Sequence, residues 1–336
     1  MLAFAGKGGG AGWGVGRTRL DRAMADLTKK IGDLDVFPLA LGGNVFGWTA
    51  GRDASFAILD AYAEGGGDFV DTADSYSWWV GGNRGGESEE IIGEWLASRG
   101  GRDRMVIATK VGVHPEHKGL SATTIKEAAE DSLRRLRTDH IDLYYTHFDD
   151  PSVPVGEIIT ALDGLVREGK VRQIGVSNIE LDRLEESLAF SDREGLAKYV
   201  AIQPEYNLVA REGYEGERMR VAERHGLAAV PYYGLASGFL TGKYRPGVTV
   251  DSARAGKAGP LLETERGRRV LAALDEIAGA RGIAMATVAL AWLRARPTVA
   301  APIASARTVE QLPALMAVAG TVLTGEEVAS LTAASE

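Results

Sequence analysis

The chain has 336 residues, 45% of them apolar and 25% charged, with a formal net charge of −8 and no cysteine. That is the composition of a globular protein large enough for one barrel or two small domains. An acidic balance without any Lys/Arg block argues against nucleic acid or an anionic membrane as partner, and the lack of cysteine excludes disulfides, thiolate metal sites and thiol nucleophiles.

In chain order, the first segment stands apart. Residues 1–26 are rich in glycine between Gly6 and Gly16 and carry no apolar period, so a flexible extension is expected there, ahead of one domain over residues 27–336. Those glycines follow no strand and open no clear helix, so they fail the context that a dinucleotide-binding loop requires. The start lacks the charged region and apolar core of a secretory signal. No run approaches the roughly eighteen apolar residues of a membrane helix. A cytoplasmic protein with no membrane partner is expected.

From residue 36 onward, short apolar runs alternate with amphipathic stretches. The runs cover 38–41, 69–71, 105–109, 141–146, 171–176, 200–203, 227–231 and 299–303. Their lengths suit buried parallel strands. Between them, Ile125, Ala129, Leu133 and Leu136 share one helical face, and Thr124 with Glu127 has the spacing of a capping box. Glu87, Glu89 and Glu90 fall in the first turn of another helix, where the macrodipole favours them, ahead of Ile91, Ile92, Trp95 and Leu96. Repeated strand–helix units predict a parallel α/β fold, and their number is that of a closed (β/α)8 TIM barrel in a single domain. A doubly wound open sheet is the alternative.

Barrels carry their chemistry on the loops after the strand C-termini. There the chain places Asp71 and Tyr76 after the second run, Lys110 after the third and His147 after the fourth. A phenol is a poor acid near neutrality, with a free pKa of about 10. A nearby ammonium favours the phenolate. Asp71 can keep Lys110 charged and oriented, and His147 can donate to a substrate oxygen. Together they would make a proton donor for a developing alkoxide. Each residue also has a plainer reading: a loop cap for Asp71, a rim aromatic for Tyr76, barrel-mouth polar groups for Lys110 and His147. Their joint placement at adjacent strand ends favours chemistry.

The segments 71–76 (DTADSY), 86–89 (GESE), 108–110 (ATK), 141–147 (IDLYYTH), 169–178 (GKVRQIGVSN), 203–207 (QPEYN), 238–244 (GFLTGKY) and 306–312 (ARTVEQL) stand in one order across residues 30–335. In that order the chain resembles the aldo-keto reductase family. The resemblance implies a hydride transfer from a reduced nicotinamide to an aldehyde or ketone. It makes Asp71, Tyr76, Lys110 and His147 the catalytic tetrad, with Tyr76 the general acid.

The same resemblance assigns Ser177, Asn178 and Gln203 to the nicotinamide carboxamide and Tyr232 to a stack beneath its ring. Ser177 and Asn178 could instead cap the helix that follows, and Tyr232 could be a core tyrosine. Leu235, Ser237 and Gly238 fall near the pyrophosphate. Tyr233-Gly234 departs from the family's Ser-Pro just before them, which leaves that backbone path open. Ser305, Arg307 and Gln311 would meet the 2′-phosphate of NADPH at a helix start. Ser305 and Gln311 stand where strong NADPH binders have Lys and Arg, and Leu315 where they have Asn. Thr308 with Gln311 also has capping-box spacing. A modest preference for NADPH is therefore expected, with NADH accepted.

Phe46, Trp48, Trp78, Trp79 and Phe148 are the expected walls of a substrate pocket suited to a ring or another apolar face, though at least two of them are expected only to pack loop to loop. His114 and His117 lack a third ligand, so no metal is expected. The expected partner is a small-molecule carbonyl, and no sequence feature fixes an oligomeric state. Two rival functions stand beside the reductase. One is a cofactor-binding regulatory subunit of the same fold with little turnover. The other is a Schiff-base aldolase or lyase using Lys110.

Overall fold

The computed structural model describes residues 28–336. The expected extension over 1–26 lies outside the described residues. A hairpin comes first, which the sequence reading did not anticipate: β1 (Lys29–Ile31) pairs antiparallel with β2 (Leu34–Val36). Its turn, at Gly32 with φ +55°, abuts the side chains of Gln173 and Val200. Ile31, Leu34 and Val36 are buried with Phe69, Val106, Leu143, Ala201 and Ile303 in one inner cluster. The hairpin thus plugs the end of the barrel where the strands begin.

Eight parallel strands form the sheet: β3 (Ala40–Gly42), β4 (Phe69–Asp71), β5 (Val106–Val111), β8 (Ile141–Thr146), β9 (Val171–Ser177), β10 (Tyr199–Gln203), β11 (Ala228–Ala229) and β12 (Ile303–Ala304). Between β5 and β8, the short strands β6 (Val113–His114) and β7 (His117–Lys118) pair antiparallel as a small second hairpin. From β3 to β11 each strand pairs with the next one in the series, and β12 pairs back on β3. Val299 bridges Ala229, and the Ala300 amide donates to the Ala229 carbonyl at 2.9 Å. The segment 299–304 therefore lies between β11 and β3 and joins the two ends of the sheet. The expected (β/α)8 barrel is the fold.

Every residue of β5 and of β8 is buried, as strands covered on both faces must be. Alternation divides their side chains. Ala108, Leu143 and Tyr145 fill the barrel, while Ile107 and Tyr144 meet the helices in a larger outer cluster. The last two expected strands are shorter than their apolar runs. The run over 227–231 pairs as a ladder only at Ala228–Ala229, and the run over 299–303 splits between a bridge at Val299 and β12.

Local chemistry explains the helix starts, with corrections. Ser121, not Thr124, caps the helix Ala122–Leu136 by accepting from the Thr124 amide. The Thr124–Glu127 capping box is not formed. Thr308 makes no side-chain cap either; Gln311 Oε1 instead accepts from the Arg307 amide at 2.8 Å. The helix Glu87–Arg99 does begin with its three glutamates. Glu89 among them is buried, accepting from Thr109 Oγ1 at 2.5 Å and from Arg135 Nε at 2.7 Å. It pins that helix to β5 and to its neighbour. Among the described residues, no single helix is long and apolar enough to cross a membrane.

Candidate active site

The four ionisable residues expected at the strand ends meet at one face. Asp71 ends β4, and Lys110 is the next-to-last residue of β5. Tyr76 sits in the turn after β4, and His147 follows β8 directly. Lys110 Nζ donates to Asp71 Oδ1 at 2.7 Å, to the Thr72 carbonyl at 2.6 Å and to Tyr76 OH at 3.1 Å. Three acceptors use all three protons of an ammonium. Lys110 and Asp71 are 0% and 1% exposed. A buried charge pair of this kind persists only with such complete bonding.

The two ends of this contact feel opposing forces. Burial pushes the Tyr76 phenol above its usual range, the Lys110 ammonium pulls it down and the Asp71 carboxylate pushes it up again. Lys110 would lose its proton more easily on burial, yet the charges of Asp71 and Tyr76 outweigh that and hold it protonated. The His147 ring centroid lies 6.0 Å from that of Tyr76. Burial, and then the charge of Lys110, push His147 down to about 3, so the ring is neutral. Its Nδ1 is buried without a partner. An unpaired buried lone pair costs less than an unpaired buried N–H, so the proton belongs on Nε2.

Ser177, Asn178 and Gln203 gather beside the tetrad, and neither Ser177 nor Asn178 caps the following helix, whose N-cap is Glu180. Ser177 Oγ donates to the Gln203 carbonyl at 2.8 Å. Asn178 Nδ2 donates to the His147 carbonyl at 2.8 Å and to Ser177 Oγ at 3.0 Å. Its backbone is left-handed, with φ +48°, which asparagine tolerates better than most residues. Tyr232 OH donates to Asn178 Oδ1 at 2.9 Å. Gln203 Nε2 donates to Asp71 Oδ2 at 2.9 Å.

Beyond Tyr232 the backbone turns sharply. Tyr233, Ala236, Ser237 and Gly238 all have positive φ. Leu235 accepts from the amides of Gly238 and Leu240. A side chain at Gly238 would press on Lys243 Nζ, 3.2 Å away. Ser305 spends its hydroxyl proton on Asn44 Oδ1 at 2.7 Å. Arg307 forms no ion pair among the described residues, and Gln311 turns its amide oxygen to the Arg307 backbone, which leaves its amide nitrogen outward.

The aromatic residues separate into two groups. Trp79 packs edge-on against Trp48 and Tyr76, with centroids 5.7 and 6.3 Å apart, and Phe148 lies 5.4 Å from His147. Trp78, Trp79 and Phe148 stay 48%, 44% and 51% exposed. Phe46 is fully buried in the outer cluster and accepts from Ser77 Oγ through its carbonyl. It supports the loop and is not a wall of the mouth. His117 faces Asp131 at 2.9 Å, and His114 Nδ1 accepts from the Glu116 amide.

Three residues escaped the sequence reading. Arg254 lies half-buried with its guanidinium 5.7 Å over the Trp48 ring. Like Arg307, it makes no ion pair among the described residues, and burial and the charge of Arg307 both weaken its hold on its proton. Only the tertiary fold brings it there, since it is remote in sequence from every strand end. Asn44 was equally silent, although its place in the loop after β3 was a usable signal. Asp74 is buried, and its neighbour Ser75 offers its carboxylate hydrogen-bond donors. Burial and the charge of Glu89 push it well above the carboxylate range.

The family model for the aldo/keto reductase family matches residues 38–336. Among similar proteins, norsolorinic acid reductase stcV of Emericella nidulans is 34% identical, over 87% of this chain and 76% of its own. The uncharacterized oxidoreductase YrpG of Bacillus subtilis is 37% identical, over 83% and 86%. The NADP(+) aryl-alcohol dehydrogenase of Phanerodontia chrysosporium is 31% identical, over 83% and 77%.

Proposed function

The chain belongs to the aldo/keto reductase family, an NAD(P)H-dependent oxidoreductase, and we propose that it prefers NADPH and reduces aromatic aldehydes or ketones with Tyr76 as the acid. The observation that carries this reading is the direction of one hydrogen bond. Tyr76 OH accepts from a lysine that has no proton left to give. The phenolic proton is therefore free to point outward, into the mouth.

The nicotinamide, when bound, supplies the hydride. This chain supplies the rest. His147, neutral, donates from Nε2 to the carbonyl oxygen and orients it. Tyr76 OH gives its proton to that oxygen as negative charge develops on it. Lys110 then faces the phenolate left behind, and Asp71 keeps the ammonium in place. The same hydrogen bonds weigh against the aldolase reading. A Schiff base needs a lysine with a free lone pair, and Lys110 is fully bonded and held protonated.

The cofactor's charges fit the residues at the mouth. Arg254 and Arg307 are two cations without carboxylate partners among the described residues, beside a loop of successive left-handed residues. Such curved backbone and such unpaired arginines suit phosphates. Arg307 and the outward Gln311 amide would meet the 2′-phosphate, while Ser305, bonded to Asn44, offers no free proton to it. Trp48, Trp79 and Phe148 around Tyr76 suit a flat aromatic substrate, in keeping with a relative named for aryl alcohols.

Consumption of NADPH on addition of para-nitrobenzaldehyde tests the activity. Steady turnover supports the reading. A protein that binds NADPH but oxidises it with no carbonyl in a broad aryl and alkyl panel is the regulatory subunit instead.

A further inference from the structure

The residues assigned to the cofactor and those assigned to the acid are one hydrogen-bonded chain. Tyr232 donates to Asn178, Asn178 to Ser177, and Ser177 to the Gln203 carbonyl. The Gln203 side chain donates to Asp71, whose other oxygen accepts from Lys110, which donates to Tyr76. Gln203 links the two halves through its side chain, beside the bond from Asn178 to the His147 carbonyl.

We infer that Gln203 is a positioning residue for the proton donor: it fixes Asp71 and so couples occupancy of the carboxamide site to the acid strength of Tyr76. This rests on the reading of Tyr76 as acid and of Gln203 as a carboxamide ligand.

The geometry supports the coupling. Gln203 and Asp71 are both 1% exposed, so no water competes for their bond. An ionised carboxylate only accepts, so the amide must present its nitrogen to Asp71. Its oxygen then faces away from Asp71, with the Tyr145 hydroxyl as a neighbour, and its two lone pairs leave room for an N–H donor as well. A side chain at Gly175 would collide with the ring of Tyr145, at 2.5 Å. That ring fills the barrel beneath the site, with its hydroxyl buried, and closes the floor.

The electrostatic consequence has a definite sign. Lys110 divides its charge between Asp71 and Tyr76. A hydrogen bond from Gln203 spreads the negative charge of Asp71, which otherwise disfavours the Tyr76 phenolate. More of the ammonium's field then acts on the phenol, and Tyr76 is the stronger acid. A donor on the Gln203 oxygen would polarise its amide and strengthen the bond to Asp71, because hydrogen bonds in series reinforce one another. Cofactor binding would thus strengthen the acid before the hydride moves.

Two variants test this. Tyrosine ring-carbon NMR on labelled, cofactor-free protein follows the ionisation of Tyr76, whose signal is identified by its loss in Tyr76→Phe. In Gln203→Leu, Tyr76 should titrate about half a pH unit or more higher than in the wild type. Turnover at saturating cofactor should fall about tenfold, the scale of one lost charge-assisted bond.

Gln203→Glu guards against a general loss of structure. Two buried carboxyls side by side share one proton. The protonated Glu can donate to Asp71 as the amide did. Its turnover relative to wild type should therefore recover as the pH is lowered, whereas that of Gln203→Leu should not. An unmoved Tyr76 titration in Gln203→Leu, with weaker cofactor binding as the only change, overturns the inference while Tyr76→Phe stays inactive. If Tyr76→Phe itself turns over normally, the acid assignment falls and this inference falls with it.

Discussion

Lys110 Nζ lies 3.1 Å from Tyr76 OH and donates to it, with its other two protons on Asp71 and on the Thr72 carbonyl. The direction of that bond decides what each residue can do. The lysine cannot act as a nucleophile, and the phenol keeps a proton to give away.

Lys110→Met removes the ammonium and leaves Asp71 buried without its charge partner. Turnover should fall at least as far as in Tyr76→Phe, and the limb where reduction fails at high pH should move upward, since the phenolate loses its support. Folding stability should drop by about 3–5 kcal/mol, the usual consequence of halving a buried ion pair. A pH–rate profile of unchanged shape and height would remove Lys110 from the mechanism.

His147 stays neutral down to about 3 in the folded protein, whereas the unfolded chain protonates it near its usual value of about 6.5. Between those values the unfolded state binds more protons. The stability contributed by this group is therefore complete above the unfolded value and is lost as the pH falls toward the folded one. His147→Gln should flatten that part of a melting-temperature series against pH. An activity limb near neutrality that vanishes in His147→Gln would show instead that the ring titrates in the active protein.

The proposed preference for NADPH assigns the 2′-phosphate to Arg307. Arg307→Ala should weaken NADPH binding by about 1.5–3 kcal/mol, the scale of a charge-assisted hydrogen bond, and leave NADH nearly unchanged. Dissociation constants for both cofactors, read by intrinsic fluorescence, decide it. Equal weakening of the two would place the 2′-phosphate elsewhere, and wild-type affinity as high for NADH as for NADPH would remove the preference.

Arg254→Ala should weaken both cofactors alike, because a half-buried cation over Trp48 and beside Tyr233 is placed for a charge the two share. A loss confined to NADPH would merge Arg254 with the 2′-phosphate site.

Much of this site was legible in the sequence because parallel barrels make strand order and strand ends predictable. Asp71 and Lys110 close or nearly close apolar runs, and Tyr76 and His147 follow such runs, so one rule about barrel mouths pointed to them together, whereas Ser177 and Gln203 were named only by the family resemblance. What stayed hidden depends on contacts between distant segments. Arg254 reaches Trp48 across about two hundred residues of chain. The hairpin β1–β2 is too short to display a period, and its residues read as inner core only once Gln173 and Val200 lie against it. Local capping signals misled twice, at Thr124 and Thr308, since Ser121 and the Arg307 backbone offered better partners. Phe46 was misplaced because a loop aromatic can face either the mouth or the core, and sequence alone does not choose.

The central claim is that Tyr76 delivers the proton. The most direct measurement compares NADPH-dependent reduction of para-nitrobenzaldehyde by the wild type and by Tyr76→Phe, at saturating cofactor and with cofactor affinity measured alongside. Only a hydroxyl is removed, and its partner Lys110 keeps Asp71 and Thr72. The account predicts near-normal NADPH affinity and turnover lowered by at least about a hundredfold, the scale of lost general acid catalysis. A variant that retains more than about a tenth of the wild-type rate, well short of that scale, would show that the proton comes from another group.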